Sequence, residues 1–99
     1  MKAPYNILHL MLDQLAPHFL PNYGHPVVKA PNIHLLSQGA VTFDNAYTNS
    51  PLCVPARASF FTGHLPSTIG VFDTGSELPA SIPTLGHYLR RAGYATCLS

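Results

Sequence analysis

Leu52-Cys53-Val54-Pro55-Ala56-Arg57-Ala58-Ser59, running on into Phe60-Phe61-Thr62-Gly63, sets a cysteine at the mouth of a helix. Pro55 suits a helix's first turn, because the N–H it lacks would have no intrahelical acceptor there. Gly63 is a natural C-terminal stop. Cys53 is thereby expected just before the helix, where unpaired N–H groups and the positive end of the helix dipole favour anionic chemistry. The i, i+4 spacing lets Arg57 reach back toward it.

Outward from that helix, the pattern alternates strand with helix. Residues 6–12 form an apolar run of the kind found in a strand covered on both faces, and Asp13 and Gln14 follow at its C-terminal end. In open parallel α/β sheets that edge is where ligands bind. Pro31 starts a short helix with Ile33 and Leu36 on its inward face and Gly39 as its stop. Residues 40–47 alternate Val41, Phe43 and Asn45 with Thr42, Asp44 and Ala46, which predicts a strand. Pro83 opens a last helix, with Leu85, Tyr88 or Leu89, and Ala92 on one face and Gly93 as cap. The apolar residues 94–98 then read as a strand holding Cys97 in its core. Stretches 15–28 and 65–81, rich in proline and glycine, read as loops. The expected class is α/β, one domain over residues 1–99.

Composition narrows the function. The chain is 46% hydrophobic and 9% charged, well below the roughly 25% charge of ordinary domains. A net charge of +1 leaves no basic patch for nucleic acid. No apolar run approaches the roughly 20 residues that span a bilayer, so no membrane partner is expected. Met1-Lys2-Ala3-Pro4 lacks the apolar segment of a signal peptide, which points to a cytoplasmic location. Two cysteines make no disulfide framework.

Taken together, Cys53-Val54-Pro55-Ala56-Arg57 resembles the Cys-x-Pro-x-Arg signature of the type I sulfatases, in the alkaline phosphatase superfamily. The resemblance covers nearly the whole chain. Asn6-Ile7-Leu8 leading to Asp13 resembles the family's first strand and metal ligand; Ala30-Pro31-Asn32-Ile33 through Gly39, its first helix. Phe43-Asp44-Asn45-Ala46-Tyr47 resembles its "FxNAY" strand, and Ile82-Pro83-Thr84-Leu85 through Gly93-Tyr94 its "PTLxxxLxxxGY" helix. The family's catalytic domain is several times longer, so the chain reads as the N-terminal part of one, catalytically incomplete alone.

The resemblance implies a fold, a chemistry and a set of roles. The fold is the N-terminal part of an alkaline-phosphatase-like sandwich with a mostly parallel central sheet. Cys53 is oxidised to formylglycine by a formylglycine-generating enzyme, and the aldehyde hydrate is the nucleophile toward a small-molecule sulfate ester. Cys53 and Asp13 are metal ligands for Ca²⁺, with Mg²⁺ or Mn²⁺ as alternatives, and Arg57 offsets charge on the transferred group. Gln14 stands where a second aspartate is common; this Asp-Gln pair resembles the branch with choline sulfatases and phosphonate monoester hydrolases, and leaves Gln14's ligand role open. His64 follows Thr62-Gly63, where the family often has a basic residue, and is a possible neighbour of the site.

Rival readings are a phosphonate monoester or phosphodiester hydrolase with the same nucleophile, and a non-catalytic α/β fragment whose Cys53 is a small buried hydrophobe. A thiolate phosphatase would need an arginine where Ser59 stands. Among the other histidines, His9 is expected to pack within its strand, and His34 and His87 to lie on helix surfaces.

Overall fold

The computed structural model describes residues 5–99; the leader reading of Met1-Lys2-Ala3-Pro4 lies outside them. Among the described residues four helices follow one another: α1 (Pro31–Gln38), α2 (Cys53–Thr62), α3 (Pro66–Ile69) and α4 (Leu85–Arg91). Two 3₁₀ turns, Pro17–Phe19 and Pro21–Tyr23, precede them. The chain divides into two compact units, one combining the segments Met1–Leu10 and Thr48–Ser99, the other Met11–Tyr47.

The first unit is built on α2. Its helix begins when Leu52, extended at φ −100 and ψ 142, accepts the Ala56 N–H at 3.0 Å. It ends at Gly63, left-handed at φ 72, whose N–H returns to Ser59 O at 2.8 Å. Ala58 of α2 meets Ile69 of α3 and Val71 just beyond it to make the buried core, with Val54, Leu78 and Ile82 packed against its edge. Gly70, at φ 72, makes the turn that keeps both of its neighbours in that core. Pro66 and Gly70 bracket α3 inside what the sequence reads as a loop. His9 stacks on Phe60 with ring centroids 4.6 Å apart and meets Phe61 edge-on, so its packing partner is a helix and not a neighbouring strand.

Helix α4 starts at Leu85, two residues after the start at Pro83 that the sequence predicts, with Thr84 as N-cap. Gly93, at φ 91, donates to Arg90 O at 3.0 Å, and Tyr94 donates to Leu89 O at 3.0 Å. These are the two bonds of a Schellman cap.

The second unit holds the 3₁₀ turns and α1. Pro31 opens α1 and Gly39 closes it, as the sequence predicts. Its apolar face differs from expectation: Ile33 is half-buried, but Leu36 is 66% exposed. The Tyr23 hydroxyl donates to Phe43 O at 2.8 Å and ties the turns to the segment before α2.

No strand occurs among the described residues. Segments 6–12, 40–47 and 94–98 carry no ladder, and Leu8, Val41 and Phe43 are each more than two-thirds exposed. A strand exists only as half of a pair, and these three segments do not pair with one another. Cys97, expected in a strand core, is consequently exposed.

Candidate active site

Cys53 is the first residue of α2 and is exposed. The approach to it is organised by hydroxyl side chains bonding the nearby backbone. Thr48 Oγ1 donates to Ser50 O at 2.8 Å, and the Ser50 N–H returns to Thr48 Oγ1 at 3.3 Å. Ser50 Oγ then accepts the Leu52 N–H at 3.2 Å. Of the N–H groups at this helix start, Leu52's is thus satisfied and Pro55 has none. Those of Cys53 and Val54 are the two for which the helix supplies no carbonyl, and no side chain caps the end. The first turn places a thiol beside two N–H groups without an intrahelical acceptor, at the positive pole of a ten-residue helix.

Pro55, in that turn, is fully buried. Arg57, one turn along, is exposed. It forms part of the wall of a pocket of about 480 Å³ lined also by Val54, Ala58, Phe61, Thr84 and Cys97. Sequence reasoning placed Cys97 apart from this neighbourhood; its position on Arg57's pocket wall depends on contacts between distant segments and has no local signal.

His64 lies just past the helix. Thr62 Oγ1 donates to Ala58 O at 2.7 Å and accepts the His64 N–H at 3.2 Å, so the hydroxyl that ends α2 also sets the chain leading to His64. Ser59, buried at 4% exposure, has an Oγ with no hydrogen-bond partner among the described residues.

Asp13 and Gln14 belong to the second unit and form a turn. Gln14 has φ +50, the one non-glycine residue in the left-handed region among those described. Such strain is held only where surroundings over-determine it, and it gathers at functional positions. Among the described residues no three His, Cys, Asp or Glu side chains gather as a metal site.

The sequence profile of the Sulfatase family matches residues 5–99. This chain belongs to the sulfatase family. A choline-sulfatase of Rhizobium meliloti is 50% identical over 94 residues, covering 95% of this chain and 18% of the relative. Arylsulfatase A of Bos taurus is 36% identical over 95% of the chain and 20% of its own length. Human iduronate 2-sulfatase is 34% identical over 92% of the chain and 17% of its own length. This sulfatase segment therefore spans about a fifth of the curated relatives it matches. No solved structure matches it significantly.

Proposed function

We propose that the protein carrying this segment hydrolyses a sulfate ester, R–O–SO₃⁻, to an alcohol and sulfate, with a formylglycine made from Cys53 as nucleophile. The observation that carries this reading is Cys53 at the exposed start of α2, with Pro55 and Arg57 behind it, in a chain whose family profile runs from residue 5 to residue 99. The fold we propose for the whole is α/β, with segments 6–12, 40–47 and 94–98 as strands of a sheet that needs further chain to pair.

Each residue then has a task. One hydroxyl of the Cys53-derived aldehyde hydrate attacks sulfur, and the ester oxygen leaves as the alcohol. The remaining hydroxyl gives up its proton as the carbon–oxygen bond to the sulfo group breaks, which releases sulfate and restores the aldehyde. A serine has no second hydroxyl and no such exit. Arg57 offsets negative charge that builds on the transferred group.

By donor type, Asp13 and the Cys53-derived hydrate would suit a hard divalent cation such as Ca²⁺ or Mg²⁺, which take oxygen ligands; Gln14 would add at most a neutral amide oxygen. A cation bound there would lower the hydrate's pKa and hold the ester's anionic oxygens.

The test is to produce the whole protein beside a formylglycine-generating enzyme. The peptide containing residue 53 should lie about 18 Da below the thiol form, and the protein should release sulfate from a sulfate ester faster than it cleaves a phosphonate monoester. Cys53→Ala should abolish turnover and shift stability by no more than about 0.5 kcal/mol, since the side chain is exposed. An unmodified thiol in a protein that still turns over sulfate esters would sink the proposal.

A further inference from the structure

The chain enters Cys53 through a relay of hydroxyl bonds. Thr48 Oγ1 donates to Ser50 O at 2.8 Å and accepts the Ser50 N–H at 3.3 Å, so one hydroxyl clamps both backbone polar groups of Ser50. Ser50 Oγ accepts the Leu52 N–H at 3.2 Å, and Pro51 between them has a fixed φ and no N–H. Leu52 O accepts the Ala56 N–H at 3.0 Å and begins α2. Each link holds the next, and Cys53 is joined directly to the last of them.

Helix stability alone does not account for hydroxyls at these positions. The side chains that stabilise a helix start sit at the N-cap and bond the N–H of the second or third helical residue. Here the N-cap is Leu52, and no side chain caps the end. The hydroxyls lie two and four residues upstream instead, and they bond Ser50 and Leu52. Their bonds fix the approach to Cys53 without occupying the N–H groups of Cys53 and Val54.

The relay also stands where no ladder does the same work. Among the described residues segment 40–47 forms no strand, so the order of residues 48–52 is local. On the other side α2 is anchored by Ala58 in the buried core. Residue 53 is thus held between a packed helix and a hydrogen-bonded entry. An attacking oxygen must stand about 3–3.5 Å from the atom it attacks, and a misplacement of about 1 Å costs about a hundredfold in rate.

We propose that Thr48 and Ser50 are positioning residues for the nucleophile derived from Cys53: through the Leu52 N–H they set where the hydrate oxygen stands relative to the sulfur of a bound sulfate ester. This rests on the formylglycine reading of Cys53.

The whole protein, made beside a formylglycine-generating enzyme, is assayed for sulfate release as wild type, Thr48→Val, Thr48→Ser, Ser50→Ala and the Thr48→Val, Ser50→Ala double variant. The mass of the peptide holding residue 53 is measured in each, and rates are taken per formylglycine-bearing molecule. Thr48→Val removes the hydroxyl and keeps the side chain's shape; it should lower kcat about tenfold to a hundredfold with KM unchanged. Ser50→Ala should do the same, and the double variant should lose no more than the larger single loss, because the links act in series. Thr48→Ser keeps the hydroxyl and should keep the wild-type kcat. Both side chains lie outside the buried core, so the melting temperature should barely move. A modified wild type matched in kcat by Thr48→Val and Ser50→Ala would overturn this proposal and leave the formylglycine reading standing. A loss shared by Thr48→Ser, or one carried by KM, would overturn it too, since the hydroxyls would then serve packing or substrate binding. A wild type that keeps a thiol at residue 53 would remove both.

Discussion

Gln14 occupies backbone territory that glycine enters freely, at a cost of about 1 kcal/mol for a residue with a Cβ. If its amide serves the site, fold and function pull apart at this position. Gln14→Gly is expected to leave the melting temperature unchanged or raised while turnover falls at least tenfold, and a loss of both together would assign Gln14 to the fold alone. Its neighbour Asp13 supplies the carboxylate of the proposed cation site. Asp13→Asn should lower turnover steeply and recover part of it as Ca²⁺, Mg²⁺ or Mn²⁺ is raised, whereas superimposable metal titrations would remove the ligand role. Asp73 is a local clamp of a different kind. The Ser76 hydroxyl, at 2.8 Å, and the Gly75 N–H, at 2.9 Å, hold its carboxyl below the ordinary 3.8, against a small desolvation that raises it. A lowered pKa stabilises the fold above the unfolded value and loses that stabilisation as pH falls through the folded one. The turn at 72–76 should therefore loosen as pH falls through the lowered titration of Asp73, read as faster exchange at the Gly75 amide, and unchanged exchange there would show that the clamp does not hold the turn. Residue type and spacing gave only a cysteine beside a helix start with a cation one turn along; the roles of Cys53, Arg57 and Asp13 come from the resemblance to the sulfatases. The hydroxyl relay of Thr48 and Ser50 was not legible, because its signal is a bond geometry and not a motif.

Helices α1 and α2 were readable nearly to the residue because their limits are set by neighbours in the chain. Pro31 and Gly39 bracket α1, and Gly63 ends α2 by adopting a conformation that other residues resist. A methyl group at residue 63 would meet nothing within 4 Å, so the cost of Gly63→Ala is conformational and not steric. It should lower stability by about 1 kcal/mol, seen as an earlier urea midpoint at unchanged slope; no shift would mean the end of α2 frays already. Helix α3 was hidden by the same residues that define it. Pro66 and Gly70 were read as loop formers, yet one is favoured at a helix's first position and the other just past its end. Only the burial of Ile69 between them separates the two readings.

At the scale of the molecule, the buried core among the described residues is Ala58, Ile69 and Val71, with Val71 fully enclosed. Val71→Ala should cost about 1.5–3 kcal/mol, the transfer of two methyl groups plus the cavity they leave. A thermal melt showing no change would mean that this core does not limit stability. What the sequence by itself determined is local: the limits of α1, the ends of α2 and α4, that a helix follows Cys53 closely with Arg57 one turn along, and that the chain is a sulfatase segment. Each of these depends on residues within a few positions of one another, or on a pattern that survives in order along the chain. Tertiary structure alone decided that His9 stacks on Phe60, that Cys97 is exposed on Arg57's pocket wall, and that the apolar segments stand without a ladder. Burial and strand pairing require a partner surface from elsewhere in the molecule, and no residue specifies its distant partner by its own type.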